Sequence, residues 1–179
     1  MTQIAAVYGG SLYDLAVEEK ISERILEEME QIRILFQENP EYIRLLLEPS
    51  IPQEERLGLI DTAFGGQAQP YLINFIKLLC EKNLLREYAG CCETFRKKFY
   101  ADHQITEAIV TSAAELSKEQ KEALKEKLEI ISGKTVVLVE KRDPSVLAGI
   151  RVSMDGKLLD GTVKNRLSVI SRRISDTVV

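Results

Sequence analysis

The chain has 179 residues, 45% of them hydrophobic and 29% charged, with a formal net charge of −4. Those proportions suit one or two folded domains and exclude intrinsic disorder. The charge is uneven. Residues 1–104 hold 11 Lys and Arg against 17 Asp and Glu, a net of −6, while the remainder holds 13 against 11, a net of +2, so the first part lacks the basic footprint of a nucleic-acid-binding domain.

The first hundred residues divide into six predicted helices. In the first, Ile4, Val7, Tyr8, Ser11, Leu12 and Leu15 recur at helical spacing, and Ala6, Gly10, Tyr13 and Val17 form a second stripe. The opening has neither a basic stretch followed by an apolar core nor the Arg- and Ser-rich composition of a transit peptide, so no leader is expected. A second helix aligns Ile25, Met29, Ile32 and Phe36. Asn39-Pro40 predicts an N-cap followed by proline at the first position of a short third helix through Leu47. Pro52 opens a fourth, which Gly65-Gly66 closes. Pro70 starts the fifth and most apolar helix, Tyr71 to about Glu81. Asn74 and Lys77 interrupt it, and it is far shorter than the roughly 20 residues of a membrane span. Asn83 marks a break before a long sixth helix from Leu84 to near Asp102. Helices joined by such short loops predict an all-α bundle.

The pattern changes near His103. Ile105 to Ser112 alternates and is β-branched, which predicts a strand. Ser117 and Gln120 make a capping-box pattern for a helix to about Ile131. Val136 to Glu140 and Gly149 to Met154 are further strands, and Asp155-Gly156 before Leu158-Leu159 is a two-residue hairpin signal. A last helix aligns Val163, Leu167, Ile170 and Ile174. The fold class expected is therefore mostly α: a six-helix bundle over 1–104, then a small α/β domain with a β-hairpin over 105–179.

No pattern in the sequence carries catalytic chemistry. His103 is the single histidine, with no G-x-S-x-G elbow beside it, and suits a helix C-terminus. Gly133-Lys134-Thr135 resembles the end of a phosphate loop, but Leu128 occupies the place of the first glycine and the element order is helix then strand. Gly133 is better read as a helix terminator. Cys80, Cys91 and Cys92 have no C-x-x-C spacing, so reduced thiols are expected rather than a zinc site or disulfide framework. Glu27, Glu28 and Glu30 fall on the polar side of a helix. Lys164, Arg166, Arg172 and Arg173 are basic but lack interleaved aromatics for stacking on bases. No catalytic residue, cofactor or metal site is expected.

The first and fifth helices are apolar on two faces and need two sets of neighbours. In the fifth, Leu72, Ile76 and Leu79 suit the bundle, and Tyr71, Phe75 and Leu78 turn elsewhere. Either a groove for a partner's amphipathic helix or complete burial in a six-helix core accounts for this.

Several segments carry a family resemblance. Tyr8-Gly9-Gly10-Ser11-Leu12-Tyr13-Asp14-Leu15-Ala16 resembles the Y-A-x-A-L-F-x-L-A start of ATP synthase delta subunits, the bacterial equivalents of the mitochondrial oligomycin-sensitivity-conferring protein. The run from Asp143-Pro144 through Ala148-Gly149 to Val152 resembles their D-P-S-L-I-G-G-I-x-V signature. Asp160-Gly161 through Arg166-Leu167 resembles the D-G-S-V-x-x-R-L that follows it, and Ser112 to Ser117 resembles S-A-x-x-L-S. The likeness spans almost the whole chain in order. Departures are Val7 in place of a basic residue, Gly9 and Ser11 in place of Ala, and Ala148 in place of Gly. Gly9 and Gly10 should each weaken the first helix by ~1 kcal/mol relative to Ala.

The resemblance implies a non-catalytic stator subunit of a proton-translocating F-type ATP synthase at the cytoplasmic face of a bacterial membrane. Its bundle would bind the N-terminal helix of alpha subunits in a groove formed by the first and fifth helices. Tyr8, Ser11, Leu15, Tyr71, Phe75 and Leu78 are the groove residues expected here. The C-terminal domain would meet the C-terminal ends of the b subunits. Asp143, Pro144, Gly149, Asp160, Gly161, Arg166 and Leu167 are expected to determine the fold rather than to bind. Two alternatives stand beside this: a helical adaptor with unrelated partners, and a small nucleic-acid-binding regulator using the basic last helix.

Overall fold

Helix α1 (Gln3–Glu18) starts where Thr2 leaves extended backbone and its side chain accepts a hydrogen bond from the Ala5 N–H at 3.2 Å. It ends at Glu18, and beyond it Lys20, at φ 59°, turns the chain into α2 (Ser22–Glu38). Helix α2 buries Ile25, Met29, Ile32 and Phe36, the stripe its spacing predicts. Short α3 (Pro40–Leu46) and α5 (Pro70–Glu81) both open on proline, and α4 (Gln53–Phe64) lies between them. A 3₁₀ turn (Leu85–Glu87) leads into α6 (Tyr88–Asp102). The chain is described over residues 2–144, 146 and 149–161 of a computed structural model. It divides into two units, Met1–Tyr100 and Ala101–Val179.

Two sequence expectations are corrected in the first unit. Asn39 does not cap α3; its side-chain amide donates to the Leu35 carbonyl at 2.9 Å, serving the last turn of α2 instead. The long helix expected from Leu84 begins only at Tyr88. Asn83 stands at φ 56° and the Leu84 N–H donates back to the Leu79 carbonyl at 2.7 Å, so the chain needs a separate tight turn before α6. The core of this unit centres on Phe36, whose ring lies 5.1 Å from Tyr88 and 6.1 Å from Phe64, edge to face in both cases. The buried Tyr88 hydroxyl donates to the Met29 carbonyl at 3.3 Å.

The second unit builds a four-stranded sheet from β1 (Ile105–Ser112), β2 (Thr135–Arg142), β3 (Ile150–Met154) and β4 (Lys157–Asp160), in the order β2-β1-β3-β4. Strands β1 and β2 are parallel; β3 pairs antiparallel with both β1 and β4. The crossover between the parallel strands is α7 (Lys118–Ser132), opened by a complete capping box of Ser117 and Gln120. Gly133 closes it at φ 68°, where a Cβ is disfavoured. Its role as terminator therefore accounts for the Gly-Lys-Thr run. Ala108, Val110, Val136, Val152 and Met154 pack with Leu128 of α7 into one core. Asp155 (φ 47°) and Gly156 (φ 73°) make the hairpin turn.

The molecule is thus mostly helical with a small mixed sheet, as expected in outline. The last predicted helix, with Val163, Leu167, Ile170 and Ile174, lies outside the described residues.

Candidate docking surface on the first helical unit

Helix α1 is positioned by small residues. A Cβ placed on Gly9 would stand 2.5 Å from the Cys91 carbonyl oxygen, and one on Gly90 would stand 2.9 Å from the Ala5 Cβ. The two helices therefore approach closely at both points, Gly9 against the Cys91 backbone and Gly90 against the Ala5 methyl, where glycine leaves room that a larger residue would fill. Around this seam, the rings of Tyr13 and Phe95 meet edge to face at 5.2 Å, Lys98 pairs with Asp14 at 2.8 Å, and the Thr2 hydroxyl donates to the Glu87 carboxylate. No spacing rule for apolar residues signals this seam. Its trace in the sequence is Ala5 and Gly9, small residues four apart.

Helix α1 buries Ala5, Gly9, Leu12 and Ala16, together with Gly10 and Tyr13. The face beside these residues stays open. Ile4 is 42% exposed and Val7 59% exposed, Ser11 is exposed, and Tyr8 and Leu15 are half-buried. The two stripes expected from sequence are thus divided differently. Ala6 and Val17 of the second stripe are exposed, whereas Leu12 of the first is core.

On α5, Leu72, Ile76 and Leu79 are fully buried, as their spacing predicts. Tyr71 and Leu78 are 36% and 39% exposed, with exposed Asn74 between them. Phe75 departs from expectation: it is buried at 7% exposure, on the core side of the strip. The start of α5 is held by the Gln69 N–H, which donates to the Glu28 carboxylate at 2.7 Å. Glu19, at the end of α1, lies near Tyr71, and the charge of its carboxylate pushes the phenol's pKa upward. The structure therefore brings the C-terminal end of α1 to the N-terminal end of α5. The result is two adjoining helices with apolar side chains left in solvent.

The signature residues of the second unit have conformational roles where they are described. The Asp143 N–H donates to the Ser112 carbonyl, and the Asp143 carbonyl accepts from the Val146 N–H, both at 3.0 Å, making a turn through Pro144. Gly149 sits at φ 93°, which a side chain rarely tolerates. Asp160 faces Arg151 across the β3–β4 pair at 3.7 Å. The Gly161 N–H donates to the Ile150 carbonyl at 3.0 Å, where an added Cβ would come within 3.3 Å of that same oxygen. Arg166 and Leu167 lie outside the described residues.

Among the described residues no group of three or more His, Cys, Asp and Glu side chains is placed to hold a metal, and no helix is long and apolar enough to cross a membrane. Cys80, Cys91 and Cys92 are free and buried. Burial raises the pKa of Cys91 to about 11 and of Cys92 to about 12, so neither offers a reactive thiolate.

Comparison with known proteins gives a consistent result. Residues 4–174 match the family model described as ATP synthase delta (OSCP) subunit. The ATP synthase subunit delta of Lachnoclostridium phytofermentans is 30% identical over 174 residues, covering 96% of this chain and 94% of the relative. That of Halalkalibacterium halodurans is 28% identical over 172 residues, with the same coverage. A chain of the Toxoplasma gondii mitochondrial ATP synthase hexamer superposes with a TM-score of 0.73 at 15% identity, covering 97% of this chain and 98% of its own. A chain of the Polytomella F-ATP synthase gives a TM-score of 0.52 at 18% identity, over 57% of this chain and 90% of its own.

Proposed function

The chain belongs to the ATP synthase delta (OSCP) subunit family, and from that premise we propose how its two units divide the work. The subunit is a non-catalytic part of the peripheral stalk of an F-type ATP synthase, where it resists rotor torque. Its six N-terminal helices act as a bundle that docks the N-terminal helix of an alpha subunit. Residues 105–179 meet the C-terminal ends of the b subunits, at the cytoplasmic face of the bacterial membrane. The family match leaves no support for an adaptor with unrelated partners or for a nucleic-acid-binding regulator.

The observation that carries the alpha-subunit contact is the open apolar face of α1 beside the exposed Tyr71 and Leu78 of α5. A load-bearing contact needs slow dissociation, and an apolar helix laid on such a face with a polar rim supplies it. No bond chemistry is required of this chain. The test is calorimetric titration of the full chain with a peptide copying the first ~20 residues of the cognate alpha subunit, a length that gives a helix of about 30 Å. We expect saturable 1:1 binding, lost in Leu78→Asp with helical circular dichroism unchanged. Wild-type affinity in that variant would move the head contact elsewhere.

A further inference from the structure

Charge is distributed along α1 in an unusual way. From Thr2 to Tyr13 no residue is charged; Asp14, Glu18 and Glu19 then follow within six positions. Asp14 is occupied by Lys98 at 2.8 Å, which leaves Glu18 and Glu19, both exposed, at the C-terminal end of the open apolar face. Carboxylates are disfavoured at that end of a helix, because the aligned peptide dipoles place their partial negative charge there. No basic residue occupies the last turn of α1 to offset them, and Lys20 comes only after the helix has ended. The charge of Glu19 is felt at the Tyr71 phenol, so the acidic end lies near the exposed start of α5. The surface thus has one uncharged end and one negative end.

We infer that this polarity fixes the direction of the docked helix: Glu18 and Glu19 receive a Lys or Arg flanking the apolar stripe of the partner, while the uncharged end around Ile4 and Tyr8 takes its apolar remainder. This rests on the proposed docking of an alpha-subunit helix at this surface and adds its orientation. The partner's cation would offset both the two carboxylates and the carbonyl end of α1, a placement that costs the free subunit stability and benefits only the complex. Rim charges of this kind act on encounter, register and salt dependence more than on final affinity.

The experiment uses the full chain and the alpha N-terminal peptide at low and moderate salt. Glu18→Lys/Glu19→Lys should weaken binding by roughly three- to tenfold at low salt and by less at higher salt, as screened surface charges do. A peptide with its Lys and Arg changed to Glu should bind the double variant better than it binds the wild type. A spin label on the basic end of the peptide should broaden the amide signals of Glu19 and Tyr71. Unchanged affinity in the double variant, or broadening from the opposite end of the peptide, would overturn the inference. Leu78→Asp separates the two levels. Loss of binding there with no effect at Glu18 and Glu19 keeps the docking surface and removes the orientation. Retained binding there with a charge effect at Glu18 and Glu19 keeps the acidic contact and removes the α5 part of the surface.

Discussion

Gly9 and Gly10 stand side by side on α1, yet their surroundings make opposite demands. Helix propensity alone favours alanine at both by ~1 kcal/mol. At Gly9 a methyl group would meet the Cys91 backbone at 2.5 Å, and overpacking against backbone costs about 1–3 kcal/mol or more. At Gly10 the nearest atom is the flexible end of Lys98, 3.4 Å away. Gly9→Ala is therefore expected to lower the midpoint of urea unfolding and Gly10→Ala to raise it. Sequence shows two glycines weakening a helix; which one is indispensable depends on which helix lies opposite, and spacing along one helix does not name its neighbour. Asp155 offers a second test. The Thr106 hydroxyl at 2.6 Å and Lys134 at 3.1 Å lower its pKa. Its stabilising effect is complete above the unfolded value near ~3.9 and is lost as pH falls through the lower folded value. The stability gap between the protein and Asp155→Asn, clear at pH 7, should accordingly close as the pH drops below about 4.

At the scale of elements, the signals that survived are those whose physics is local. Pro40 and Pro70 open helices, the Ser117–Gln120 box opens α7, Gly133 closes it, and Asp155-Gly156 turns the hairpin. Each satisfies or forbids a backbone hydrogen bond within a few residues, so the sequence suffices to find it. Ser117→Ala should cost about 1 kcal/mol of helix stability, read as roughly fivefold faster amide exchange in the first turn of α7. Asn39 does not make the N-cap that the sequence predicts there. It joins two helices, and its side chain could serve either end; it bonds Leu35 behind it. Phe75 was misplaced because it lies on the border between the buried and exposed arcs of α5. Periodicity gives an angle around the helix there, but a neighbouring helix decides whether that angle is covered.

For the whole molecule, the relevant quantity is coupling rather than turnover. If the α1–α5 surface holds the head, then Leu78→Asp in the assembled enzyme should leave ATP hydrolysis by the head intact. ATP-driven proton pumping in membrane vesicles should fall, because the head is no longer held against the rotor. Equal loss of both activities would point to failed assembly instead. The family assignment was legible from signature segments spread along the chain, and two of their described residues, Gly149 and Gly161, are constrained by backbone geometry. The docking face was only half legible: an apolar surplus on α1 and α5 could be seen, but the division between core and open surface needed the packing of α6 against Gly9.

That seam also bears on how the subunit behaves as a mechanical part. Long side chains at an interface can give way under shear by changing rotamer, each step dissipating some of the applied work. Between Ala5 and Gly9 on one helix and Gly90 and Cys91 on the other there is little side chain to move: Gly9 lies against the Cys91 backbone and Gly90 against a single methyl group. Close-packed contacts of that kind have low compressibility and pass strain onward. If the head is held at the outer face of α1, a force delivered there passes to α6 with little slack, and the contact behaves as a stiff spring rather than a damper.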